Sequence, residues 1–452
     1  MIPRFQPWLL MVSCFLCMIF APARAIAKFD WSTHRGSKIK ILLNKHPYTD
    51  ALIYHLNEFI FKTGIQVTFD TILEDEYFDK VTAALTSKSP EYSVFMTGAY
   101  QIWQYAPQGH MENLKPYMQN QTKTSPTWDP HDFYENLVSA LAWNLKPGSP
   151  LGTPDAGQWA IPLGFETNNL AYRKDIFKKH GLAPPKDLPE MIRLCAKLKQ
   201  LEPDMIPIAV RGSRSWATIH PGFLSCYTSY GAKDYDPFPK PAMNSPRAVE
   251  MTRLWIKMIK AYGPENWTSY IWYDVSKALG RDRACMIYDA DIVSYYQNQV
   301  GASAVAGKLA WAPGPGAPGV GPTPNMWIWS LAMNAHSKTK DAAWYFIQWA
   351  TSKEVLLKVV RGRFSIVDPV RKSIWADPQF KLKLSGFDGY TKTFNAIIPT
   401  CRIYFTPQPL FFETTTQWAG ALHEIYHGKD AQRVLDDLVK DLTHRLKKAG
   451  YK

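Results

Sequence analysis

Cysteine is scarce: the 452 residues hold six, and beyond residue 25 only Cys195, Cys226, Cys285 and Cys401 remain. Their spacing matches no zinc-binding pattern, and a chain of this length needs no covalent staples. Disulfides, in any of the three pairings four cysteines allow, and buried free thiols both stay open. Long apolar runs are missing as well. After residue 25 no stretch approaches about eighteen uninterrupted apolar residues, which excludes a membrane-spanning helix from the rest of the chain. There is no internal repeat, coiled coil or low-complexity tract, so solenoids and disordered arrays are excluded.

A basic stripe is also lacking, although the formal charge is +13. Basic residues are dispersed. The densest cluster, His444-Arg-Leu-Lys-Lys448, follows Asp436, Asp437 and Asp441 on a helical pattern, the usual charge order of a solvated helix end. Nucleic-acid binding is therefore not expected, while an anionic ligand or acidic surface remains compatible with the excess of charge.

What is present begins with a leader. Arg4 supplies a positive start, Trp8 to Phe20 is apolar, and Ala23-Arg24-Ala25 is an A-x-A-like cleavage site, so residues 1–25 read as a secretory signal peptide and the mature protein as exported to the periplasm. Thereafter strands and helices alternate. Lys38 to Leu43 reads as a strand, Ala51 to Thr63 as a helix stopped by Gly64, and Ile65 to Phe69 as a second strand. This β-α-β unit favours a parallel sheet whose ligands gather at the carboxyl ends of its strands. The same alternation recurs beyond residue 175, with strands expected at Ile206 to Val210, Ala284 to Tyr288 and Trp327 to Met333, and a glycine- and proline-rich loop from Trp311 to Pro324. Two such blocks joined by irregular segments give two α/β lobes.

The stretch from Trp159 to Asp175 is a strand interrupted by Pro162 and Gly164, a composition suited to a bent crossing between lobes. Glu166, Thr167, Asn168 and Asn169 follow the bend. Four consecutive polar side chains would be costly in a core but useful on the floor of a cleft. Further crossings are expected near Trp327 and Val367.

Five stretches in order carry a resemblance. They are Glu58-Phe-Ile-Phe-Lys-Thr-Gly-Ile-Gln-Val67; Tyr77-Phe-Asp-Lys-Val-Thr-Ala-Ala-Leu85; Val94-Phe-Met-Thr-Gly-Ala-Tyr100; Ile161 to Asp175, ending in Tyr-Arg-Lys-Asp; and Trp329 to Lys338 with Ala342 to Trp349. The chain resembles a carbohydrate-type extracellular solute-binding protein, the periplasmic receptor of an ABC importer, in the group that includes the maltose and glycerol-phosphate receptors. The resemblance implies an α/β periplasmic-binding-protein fold of the class II type, each lobe a mostly parallel sheet flanked by helices. Residues 26–163 with 326–367 would form one lobe and 164–325 with 368–452 the other. It implies a monomer that closes over a sugar, polyol or related small solute and docks on the transmembrane permease, with no cofactor, metal or catalytic residue.

A polyol needs carboxylates and amides for its hydroxyls and aromatic faces for its C–H surfaces. Strand ends supply the candidates. Glu166 matches the hinge-strand carboxylate. Asn44, His46, Thr97, Tyr100 and Gln101 come from the first lobe, and Arg214, Trp216, Asp289 and Asp291 from the second. Trp327 and Trp329 alternate on the return strand and so share a face. Asp289-Ala-Asp291 stands where many relatives carry glycine and an aromatic, and two acids there favour hydroxyls or positive charge.

One enzyme motif competes. His423-Glu-Ile-Tyr-His427 fits H-E-x-x-H, the helix that holds zinc in metallohydrolases. Gly428 follows at once, and Gln432-Arg433 stand where the extended pattern needs glycine and histidine. A glycosidase built on Glu166, Asp289 and Asp291 is a further option, to be decided by the separation of the carboxyls.

Overall fold

A computed structural model describes residue 1 and residues 28–321, 323–362 and 368–452. The signal peptide expected over residues 1–25 lies, Met1 apart, outside the described residues, and so does the crossing expected near Val367.

The β-α-β unit forms as its pattern requires. Strand β1 (Lys38–Asn44) leads into helix α1 (Pro47–Thr63), with His46 as N-cap and Pro47 in the first turn, where a missing N–H costs nothing. Gly64 ends the helix in the left-handed region at φ 71° and returns its N–H to Ile60. Strand β2 (Gln66–Ile72) then pairs parallel with β1. Helix α2 (Glu74–Thr86) precedes β3 (Val94–Thr97), parallel to the other side of β1, and α3 (Ala99–Tyr105) follows. The Tyr77 hydroxyl lies between the carbonyls of Leu42 (2.9 Å) and Met96 (2.6 Å), tying α2 to the ends of β1 and β3.

Strand β4 (Ile161–Arg173) organises the rest. Its first half, Ile161 to Thr167, pairs with the return strand, and its second half, Asn168 to Tyr172, pairs with a strand of the other half of the molecule. Beyond it come α4 (Trp216–Ile219), α5 (Trp272–Gly280), β5 (Met286–Ala290), α6 (Asp291–Gln297), β6 (Leu309–Ala312) and the return strand β7 (Met326–Met333). The strand order is β2-β1-β3-β7-β4-β5, with β6 also on β4. Helices α7 (Lys340–Ala350), α8 (Tyr390–Ile397) and α9 (Phe411–Tyr426) complete the parts used below. The result is a two-lobed α/β fold with helix-flanked sheets.

Among the described strands, parallel ladders join only β1 to β2 and to β3. The second lobe departs from the expected mostly parallel pattern, because β4 arrives from the first lobe running against both β5 and β6. The expected strand at Ile206 to Val210 survives only as isolated parallel bridges from Ile206 to Ala284 and Ala209 to Ile287. Pro207 has no N–H to extend that ladder. The expected loop at Trp311 is entered by β6, two of whose four residues precede it.

The bend in β4 is real and has a partner. The register with β7 shifts between Pro162 and Gly164. A Cβ on Gly164 would lie 2.2 Å from the Tyr48 ring, whose hydroxyl donates to the Phe165 carbonyl at 3.2 Å. Gly164→Ala should therefore push a fully buried ring off the crossing strand and cost about 1–3 kcal/mol. Urea unfolding would show it; an unchanged midpoint would mean that Tyr48 can give way freely. The four cysteines are buried and free, which decides the alternative left open above.

Candidate functional site

A cavity of about 240 Å³ lies between the two halves of the molecule, on the face of β4 and β7. Across the sheet Glu166 stands opposite Trp327 and Gly164 opposite Trp329, so period-two alternation puts both indoles on the face of Glu166. Trp329 Nε1 donates to Glu166 Oε1 at 3.0 Å. Trp327 packs 5.4 Å from Trp216, tilted by 31°, and edge-on to Trp329 at 5.2 Å. These rings wall the cavity with apolar faces of the kind that pack on C–H surfaces. Gly98 makes room for the arrangement: a Cβ there would stand 2.1 Å from the Trp327 ring.

The first lobe adds Lys45, His46 and Pro47 from the turn after β1, and Glu74 from the start of α2. The second adds Arg211, then Trp216 and His220 around α4, Trp272 and Ser276 from α5, and Ile292, Val293 and Tyr296 from α6.

Burial sets the charge states. It pushes the Glu166 carboxyl up to about 8, against the pull of Arg211 and with smaller pushes from Glu74 and Asp291. Burial also lowers His46 to about 3. His46 Nε2 lies 3.8 Å from Glu166 Oε1, but with both groups neutral near pH 7 this is a polar contact and not an ion pair. A neutral Glu166 both donates and accepts, which suits a hydroxyl. Arg211 is neutralised: its Nη2 donates to Asp289 Oδ1 at 2.6 Å, and its Nε reaches both carboxylate oxygens at 3.0–3.1 Å. Lys45 pairs with Asp50 at 2.5 Å.

Of the twelve residues expected to contact ligand, His46, Glu166, Trp216, Trp327 and Trp329 line this cavity. The other seven stand elsewhere. Asn44 and Thr97 are fully buried at the ends of β1 and β3. Gln101 is buried beside Gly98, and Tyr100 packs behind Trp327 at 5.4 Å and against Phe411 at 4.6 Å. Arg214 is exposed on the second lobe, donating to Gln417 at 3.2 Å. Asp289 is spent on Arg211. Asp291 accepts from the Thr167 N–H at 3.1 Å and hydroxyl at 2.7 Å, and from Tyr390 at 2.9 Å, so it fastens α6 to the crossing strand. The acids of Asp289-Ala-Asp291 thus brace the site from outside its lining. Arg211, His220, Trp272 and Tyr296 escaped the sequence reading. Arg211 and Arg214 share one strand-end segment, and nothing local says which is turned inward.

The H-E-x-x-H helix is used structurally. His423 Nε2 donates to the Gly212 carbonyl at 2.5 Å, and α9 ends at Tyr426, leaving His427 exposed beyond its last turn. A carbonyl on one ring nitrogen is common for a metal-bound histidine, but among the described residues no three His, Cys, Asp or Glu side chains come together to hold a metal ion.

The two-lobed fold agrees with what the chain is similar to. It is 44% identical over 422 residues to the erythritol/L-threitol-binding protein of Mycolicibacterium smegmatis, covering 92% of this chain and 88% of that one. Among solved structures it superposes at TM-score 0.76 and 22% identity on an Agrobacterium vitis ABC transporter solute-binding protein with bound D-mannitol, covering 92% of this chain and 99% of that one. A solute-binding protein of Agrobacterium radiobacter in complex with ribitol matches equally well, at TM-score 0.76 and 22% identity over 90% of this chain and 98% of that one. The family model for bacterial extracellular solute-binding proteins matches residues 46–356, from the cavity histidine of the first lobe to the helices that follow the return strand, and the chain belongs to that family.

Proposed function

We propose that the protein is the exported receptor of an ABC importer and captures a small neutral acyclic polyol of about four to six carbons between its lobes. The observation that carries the reading is the aromatic cavity between the lobes with Glu166, hydrogen-bonded by Trp329, on its floor. At about 240 Å³ it equals the share of about eight liquid waters and falls below the ~300–1,000 Å³ of cavities for drug-sized ligands, which suits a small polyol. The inward cations already have carboxylate partners, which favours an uncharged solute. The tetritols named for the 44% identical relative match this size and charge.

In this reading Glu166, His46, Trp216, Trp327 and Trp329 touch the ligand, joined by Arg211, His220 and Trp272. The lobes comprise residues 26–163 with 326–367 and 164–325 with 368–452, and the change of pairing partner along β4 between Thr167 and Asn168 supports a hinge there. A signal peptide over residues 1–25 exports a monomer to the periplasm, where the closed form delivers its solute to the permease. The protein is not an enzyme. Ligand bridging both lobes favours the closed state by its differential affinity.

Calorimetry with erythritol, L-threitol, ribitol, mannitol and maltose tests this. Heat with the tetritols, weaker binding of longer polyols and none of maltose is expected. No heat with any polyol would overturn the proposal.

A further inference from the structure

Asn325 leads into β7, and its side-chain orientation is determined by the backbone around it. Its Oδ1 accepts from the Tyr404 N–H at 3.1 Å. The Nδ2 edge therefore faces the other way, toward Tyr100 Oη at 3.0 Å, His220 Nδ1 at 2.9 Å and the His220 carbonyl at 2.9 Å. An amide nitrogen only donates, so His220 Nδ1 accepts and carries no proton. The Tyr100 hydroxyl lies 3.2 Å from the same nitrogen and 3.2 Å from the Met326 carbonyl. Burial, with Arg211 nearby, holds His220 well below the ordinary histidine range and keeps the ring neutral. The one ring proton is then on Nε2.

His220 is 2% exposed, and it lines the cavity. With the Nδ1 edge turned to Asn325, Nε2 lies on the other edge of the ring and makes no hydrogen bond among the described residues. A donor held in a largely desolvated wall gains more from a ligand oxygen than a solvated donor does.

Resting on the polyol reading, we propose that His220 is a ligand-contacting hydrogen-bond donor, and that Asn325 and Tyr100 are positioning residues that hold its Nε2–H toward the cavity. Tyr100 comes from α3 of the first lobe and His220 from the end of α4 in the second, so the donor's orientation draws on both lobes. The position accepts a hydroxyl oxygen and discriminates against a methyl or a cationic nitrogen at the same place.

The test combines calorimetry with erythritol and nitrogen-15 spectra of the histidine rings in the full chain. Wild type should show a protonated Nε2 and bare Nδ1 for His220, with Nε2 shifting on addition of erythritol. His220→Ala should weaken binding about tenfold to a hundredfold, and His220→Gln, which keeps a donor, less than that. Asn325→Asp puts a carboxylate against Nδ1, and should move the proton to that nitrogen and weaken erythritol as His220→Ala does. A wild-type ring protonated on Nδ1 overturns the network, whether or not the variants fold. Wild-type binding with the same affinity in His220→Ala overturns the role of His220 alone, whereas no heat with wild type overturns the polyol reading and the ligand role with it.

Discussion

Asp289→Ala should cost about 3–5 kcal/mol of folding stability, the usual effect of stripping one partner from a buried ion pair. The Asp289 side chain is wholly enclosed and that of Arg211 is 9% exposed, so the pair is largely shielded from bulk water. The guanidinium would keep its charge and lose the bonds from Nε and Nη2, retaining only a long contact of 3.5 Å to the Ala217 carbonyl. Adding Arg211→Met should restore much of the stability, because the cost lies in the unpaired charge and not in the absence of the pair. The double variant should still bind polyol poorly, since Arg211 lines the cavity. Urea unfolding of both single variants and the double gives the coupling. A double variant as unstable as the sum of the singles would contradict the account.

Glu166→Ala is expected to weaken polyol binding by about 2–3 kcal/mol, roughly thirtyfold to over a hundredfold, by removing a ligand partner and leaving the Trp329 N–H unsatisfied in the cavity wall. Glu166→Gln keeps an acceptor for Trp329 and should lose less. The same residue makes a prediction in pH. Its carboxyl is raised from 4.5 to about 8 in the folded protein, so between those values the native state holds a proton that the unfolded chain has released. Stability from this group is full below about pH 4.5 and is lost as pH rises through about 8. Asp234, Asp291 and Asp368 are raised too and act in the same direction; Asp234 does so alike in both proteins, while Asp291 and Asp368 feel the Glu166 charge, so the difference between wild type and Glu166→Gln reads Glu166 together with its interaction with those two acids. Wild type should lose stability relative to Glu166→Gln across that window; parallel curves would show that Glu166 is ionised throughout.

Strand parity and chain punctuation were legible without coordinates. The bend at Pro162 and Gly164 puts Glu166 just past the crossing, and alternation along Trp327 to Trp329 puts both indoles on one face; both are local consequences of a period of two and of missing N–H or Cβ atoms. The β-α-β opening was legible for the same reason, and it places His46 at a strand end beside the cavity. The rest depends on partners far away in the chain. Arg211 faces inward and Arg214 does not because Asp289, 78 residues later, holds the former. Asp289 and Asp291 read as ligand groups from sequence, yet one neutralises that arginine and the other accepts from Thr167, 124 residues earlier. Tyr100 sits at the right strand end but behind the wall, and its hydroxyl reaches His220 instead. Periodicity within one element is encoded by neighbouring residues, so sequence alone determined the lobes, the crossing strand and the position of Glu166. Which charges are already neutralised, and how each helix is rotated about its axis toward the cavity, are set by contacts between elements, and only the tertiary structure decided them.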